Sequence, residues 1–155
     1  MSAESIITLE LAISALVRHN GNMIKMPRKG KITPNGVVLK NHENATVVFL
    51  TELGYNIELI PTSNTKGVHT PDIRIKGIEW EIKTPIGEGK QLIENTIQKA
   101  LKQSQNVIVD LRHTKRHQTR CIRELQKQFN SKKKIKRLLI ILKDGRTILL
   151  TRKNK

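Results

Sequence analysis

Apolar residues recur at helical spacing over residues 4–18 (ESIITLELAISALVR), which predicts a first helix. The polar stretch 19–35 follows, broken by Gly21, Pro27, Gly30 and Pro34, and reads as a basic linker or surface loop. Residues 41–53 read as a helix that Gly54 ends, and residues 55–60 as a short strand closed by Pro61. A loop rich in Ser, Asn, Thr and Gly then leads to TPDIRIKGIEWEIKTP, where the period changes to two. Ile73 and Ile75 alternate with Asp72 and Arg74; Ile78, Trp80 and Ile82 alternate with Glu79, Glu81 and Lys83. Lys76-Gly77 supplies the turn, so residues 71–83 are predicted to form a tight hairpin.

Beyond it, Leu92, Ile93, Ile97, Ala100 and Leu101 mark the apolar stripe of a helix over residues 90–104. The run NVIVDL at 106–111 is too short for a helix and β-branched enough for a buried strand. Residues 117–130 read as a helix with a basic outer face. Residues 137–142 and 146–151 read as two strands joined at Asp144-Gly145. The predicted order is α, β, β, β, α, β, then α, β, β. It describes an α/β fold, a central mixed sheet flanked by helices. We divide the chain into an accessory N-terminal helix and linker, 1–36, and a main domain, 37–155.

Charge sharpens this picture. The 155-residue chain carries a formal net charge of +16, and residues 111–155 hold 16 of the 29 Lys/Arg but two of the 13 Asp/Glu. A positive field of that size attracts polyphosphate, and it falls on segments with helix and strand patterning. Nucleic acid is therefore the expected partner. Aromatic residues make up 3% of the chain, too few for base-stacking platforms, so recognition is expected to rest on shape and backbone charge, as with a folded RNA or a duplex. No apolar run is long enough for a membrane span, and the start lacks a signal-peptide pattern. A lone Cys121 offers neither a disulfide nor a cysteine metal site. The expected compartment is a cytoplasm, reached directly or by delivery as part of something larger.

The hairpin carries the chemistry. Glu81 and Lys83 share a strand face, directed away from the apolar one, and pairing brings Asp72 beside them. Two carboxylates and an ammonium are the equipment needed to hold a divalent cation and act on a phosphodiester. A solvated face bearing a surface ion pair is the plain alternative. Glu79 lies on the same face as a further carboxylate. His113 and His117 have metal-ligand spacing but sit among Lys and Arg, so contact with nucleic acid is the better reading of them. His42 and His69 read as loop residues near the acids, and Asp110 as a loop-positioning group at a strand end. The lysines at 132–134 read as a phosphate-facing loop.

With a Pro-Asp on one strand, Glu-x-Lys on the next, and a helix before and after them, residues 40–112 resemble the core of the PD-(D/E)xK nuclease superfamily. The stretch DIRIKGIEWEIKTP, a helix and QSQNVIVDL are similar, more narrowly, to the C-terminal tRNA nuclease domains of contact-dependent growth-inhibition toxins. The resemblance implies that Asp72 and Glu81 bind metal, that Lys83 activates water or stabilises phosphate charge, and that Glu43 is the helical acid. Glu43 also suits a helix dipole. The implied metal is Mg²⁺, with Mn²⁺ or Zn²⁺ as substitutes. The implied substrate is tRNA in the cytoplasm of a target bacterium, and the implied partner is a cognate immunity protein. Thr84, Lys102, Arg112, His113, Lys115, Arg116, His117 and Arg120 are candidate nucleic-acid contacts, and Gln98, Lys102 or Gln105 a candidate polar helper. A DNA endonuclease of the same superfamily and a non-catalytic nucleic-acid binder are the alternatives.

Overall fold

The computed structural model describes residues 28–153 and the backbone of Ile6–Ile7. Its central strands explain its layering. The apolar runs of β6 (Asn106–Asp110) and β7 (Arg137–Ile141) alternate between two cores. Val107, Val109, Leu138 and Ile140 pack on one side with Ile93, Ile97, Cys121, Leu125 and Phe129. Ile108, Leu139 and Ile141 pack on the other with Val47, Leu50, Trp80 and Ile82. Helices α2 (Leu92–Ala100) and α3 (Gln118–Ser131) supply the first layer, and α1 (Asn41–Glu52) the second. A sheet covered on both faces is what continuous apolar strands require.

Eight strands run in the order β1-β8-β7-β6-β5-β4-β3-β2. The centre, β5 (Ile78–Lys83), β6 and β7, is parallel, and α2 and α3 make its crossovers. The pairs of β3 (Ile57–Leu59) with β4 (Ile73–Ile75), β4 with β5, and β7 with β8 (Thr147–Thr151) are antiparallel. The expected mixed sheet and the order from α1 to β8 agree with this arrangement.

The N-terminal expectations differ from it. Most of the helix expected over 4–18 lies outside the described residues, but Ile6–Ile7 form a strand, β1, antiparallel to Leu149–Leu150. Within the expected linker, Ile32–Thr33 form β2, parallel to Ile57–Glu58. Both strands take up backbone groups of a sheet edge, a long-range demand that local periodicity does not encode.

Gly30 fixes the second attachment. Its N–H donates to the Thr51 carbonyl at 2.7 Å, and a Cβ there would lie 1.8 Å from the Tyr55 carbonyl oxygen. Only a residue without a side chain lets the two backbones pass so closely. Gly30→Ala is expected to destabilise the fold by about 1–3 kcal/mol, as overpacking does, read as a lower urea midpoint at unchanged slope.

Candidate functional site

The β4–β5 register places Ile73 opposite Trp80, so Asp72, just before β4, meets the far end of β5. Asp72 Oδ2 accepts the Ile82 N–H at 2.8 Å, and the Asp72 N–H donates to the Trp80 carbonyl at 3.1 Å. The carboxylate is thereby clamped to the strand that carries Glu81 and Lys83. Trp80 and Ile82 point into the α1 core, which turns Glu81 and Lys83 to the other face, as the alternation predicts.

At Glu81 that face is enclosed, unlike the solvated ion-pair face that is the plain alternative, while Glu79 on the same face is exposed. Glu81 is only 2% exposed. Its Oε1 accepts from Lys83 Nζ and from Gln103 Nε2, each at 2.7 Å, while the buried Oε2 has no hydrogen-bond partner. Burial, opposed by the Lys83 hydrogen bond and reinforced by the Asp72 charge, pushes the Glu81 carboxyl up to about 7. The polar side chain that reaches Glu81 is that of Gln103, in the turn after α2, whereas the expected candidates are Gln98, Lys102 and Gln105. No periodicity singles out Gln103, because it lies past the helix end, where the turn decides its direction.

Asp72, Glu81, Lys83, Gln103 and Glu43 line one cleft of about 320 Å³, together with His69 and the segment before α1. A neighbouring cleft of about 410 Å³ shares Lys40, Glu43 and Lys83 and adds Thr84, Asn95 and Lys99. Glu43 accepts the Lys40 N–H at 3.3 Å, half of a capping box at the start of α1. Among the described residues no group of three His, Cys, Asp or Glu could hold a metal; Asp72 and Glu81 are the coupled carboxylates, and Glu43 lines the same cleft from the start of α1. An oxygen pair with one buried, unpartnered atom suits a hard cation that keeps several waters. Glu79 belongs to a different arrangement, an ion pair with Arg74 at 3.0 Å.

The basic residues divide sharply. Arg112 binds Asp110 at 2.8 Å and the Ala45 carbonyl at 3.2 Å, and its guanidinium lies 4.3 Å from the Phe49 ring centre. Arg116 is buried on the Gly89 carbonyl and on Glu124, each within 2.8 Å. Both guanidiniums hold the fold together, against their expected placement on a nucleic-acid surface. Lys102, His113, Lys115, His117 and Arg120 are exposed, and Arg120 pairs with Glu124 at 3.5 Å. His113 approaches His42 at 6.4 Å between ring centres, and His117 precedes α3 as its N-cap. Asp110 anchors instead of binding metal: its carboxylate accepts from Thr46 Oγ1 at 2.7 Å and from the Arg112 N–H and guanidinium.

Residues 69–147 match the model of a family described as the contact-dependent growth inhibition CdiA C-terminal domain. Among solved structures, the fold is similar to a chain of the "CdiA-CT/CdiI toxin and immunity complex from Burkholderia pseudomallei", with a TM-score of 0.59 and 19% identity, over 79% of this chain and 99% of that one. At that identity the likeness concerns the fold. No curated protein matches the chain.

The raised Glu81 carboxyl has a consequence for stability. Its usual value is 4.5 and its folded value about 7, so the native state holds the proton longer than the unfolded chain does. Stability is favoured below the unfolded value and declines as pH rises through the folded one. Glu81→Gln is expected to remove that decline, stabilising the protein at about pH 8 relative to wild type more than at about pH 5. Urea unfolding at both pH values measures it; parallel pH dependences in the two proteins would contradict the assignment.

Proposed function

Because the chain belongs to the family of contact-dependent growth inhibition CdiA C-terminal domains, we propose that it is a metal-dependent nuclease toxin that cuts tRNA in the cytoplasm of a target bacterium and that a cognate immunity protein neutralises. The reading is carried by one observation: a buried glutamate with an unpartnered oxygen, beside a clamped aspartate and a lysine in the same cleft. The PD-(D/E)xK resemblance supports the roles, and the basic segment supports a nucleic-acid substrate. The immunity partner follows from the toxin and immunity complex named for the structural neighbour.

Asp72 and the free oxygen of Glu81 would hold Mg²⁺. When bound, such an ion supplies polarisation of the phosphoryl oxygen and a water of lowered pKa. The protein does the positioning. Gln103 and Lys83 hold Glu81 through its other oxygen, which fixes the direction of the free one that would take the ion. The Lys83 ammonium, part-exposed at the cleft wall, places positive charge where a nonbridging phosphate oxygen would sit. The cation-bearing cleft next to it, with Lys40 and Lys99, provides room for the adjoining part of the substrate chain.

Asp72→Ala, Glu81→Ala and Lys83→Ala are each expected to lower cleavage of purified tRNA by about 100-fold or more, with folding retained by circular dichroism. EDTA is expected to abolish wild-type cleavage, and Mg²⁺ to raise the melting temperature of the wild type but not of Glu81→Gln. Cleavage unchanged in all three alanine variants would remove the site. Preferential cutting of plasmid DNA would move the protein to the DNA-endonuclease alternative, and binding of RNA without cutting would leave a non-catalytic binder. Expression in cells without an immunity protein is expected to arrest growth, and Lys83→Ala to relieve the arrest.

A further inference from the structure

A groove of about 690 Å³ lies away from the carboxylates Asp72 and Glu81. It runs between the β2 edge and the tip of the β4–β5 hairpin and is lined by Arg28, Lys29, Lys31, Arg74 and Lys76, with Glu58 as its sole acid. That acid is already taken: Arg74 holds Glu58 at 2.8 Å and Glu79 at 3.0 Å. None of the ion pairs among the described residues engages Arg28, Lys29, Lys31 or Lys76, and all four are exposed.

These cations are mounted on structure. Lys29 and Lys31 flank Gly30, whose N–H is bound to the Thr51 carbonyl at 2.7 Å. The Lys31 N–H donates to Asn56 Oδ1 at 2.9 Å, and its carbonyl accepts from Ile57 at 2.9 Å. Lys76 is placed against its own preference. It has φ 50 and the next residue, Gly77, has φ 78, the two left-handed positions of a hairpin turn that Asn-Gly fills most easily. A residue with a Cβ is strained there, because its Cβ crowds the following carbonyl oxygen. Lys76 is exposed and packs into no core, so what its side chain contributes at that position is charge facing the groove.

We propose that this groove is a second nucleic-acid site, which grips the phosphate backbone of a folded RNA. Exposed cations spread along an open groove match repeated phosphates better than a small anion, which a compact, enclosed pocket would hold. The hairpin tip and the cleft stand at opposite ends of β5, about 17 Å apart at strand rise. A duplex covers that distance in roughly five base pairs, so one polymer is long enough to touch both. The inference needs RNA as the ligand but does not need the cleft to cut it, and the two fail separately: loss of cleavage in Asp72→Ala tests the cleft, and RNA affinity tests the groove.

The decisive variant is Lys76→Gly, which removes the charge and relieves the backbone. We measure binding of a fluorescently labelled RNA hairpin by anisotropy, in EDTA so that cation-dependent cutting is absent, over a range of salt. Lys76→Gly is expected to weaken binding about 3–10-fold and to lower the slope of log affinity against log salt by about one, while its melting temperature holds or rises. Adding Lys29→Ala and Lys31→Ala is expected to deepen both effects. RNA affinity unchanged in the triple variant overturns the proposal. So does a loss confined to an acidic polypeptide such as polyglutamate, which would make the groove a protein-docking surface.

Discussion

Burial of the central strands on both faces is the constraint from which the rest of this structure follows. Once β6 and β7 carry apolar side chains on every residue but Asn106, Asp110 and Arg137, helices must cover both sides, and the parallel crossovers put them there. Strand β5 is the boundary of that regime. It is apolar toward α1 and acidic toward α2, so its one deeply buried acid, Glu81, is enclosed by an architecture built for apolar neighbours. Its perturbed carboxyl is a product of the same packing that stabilises the domain.

Two acid–base pairs on the central strands show how enclosure is answered in opposite ways. Asp110 and Glu81 are both almost fully buried, and burial pushes both carboxyls upward. Around Asp110 the Arg112 guanidinium, the Thr46 hydroxyl and the Arg112 N–H serve both oxygens, and the net shift is downward. Around Glu81 both donors crowd one oxygen and the other is left bare. The first arrangement ties α1 to the sheet. The second leaves one carboxylate oxygen without a donor beside another carboxylate, that of Asp72, and the net shift is upward.

Charge is similarly divided between holding the fold and facing outward. Arg112, Arg116 and Arg152 belong to the strongly basic C-terminal third, yet each guanidinium caps carbonyls or covers an aromatic ring: Arg152 reaches the carbonyls of Phe129, Ile135 and Lys132 and lies over Phe129. The cations that face solvent around an open groove lie instead on the near-neutral N-terminal part of the chain. Net charge by segment therefore does not tell which cations hold the fold and which face outward.

The sequence by itself determined the elements from α1 to β8, the hairpin with its turn, and the company of Asp72, Glu81 and Lys83, because strand alternation and turn chemistry are local and survive any packing. Only the tertiary structure decided that Glu81 is enclosed, that Gln103 holds it, that Glu43 caps a helix at the rim of the same cleft, and that Arg112 and Arg116 turn inward. It also decided that Ile6–Ile7 and Ile32–Thr33 pair as strands at the two sheet edges. Each of these depends on which distant backbone or side chain arrives at a position, and burial and partner geometry are set by that arrival, which residue spacing along the chain does not carry.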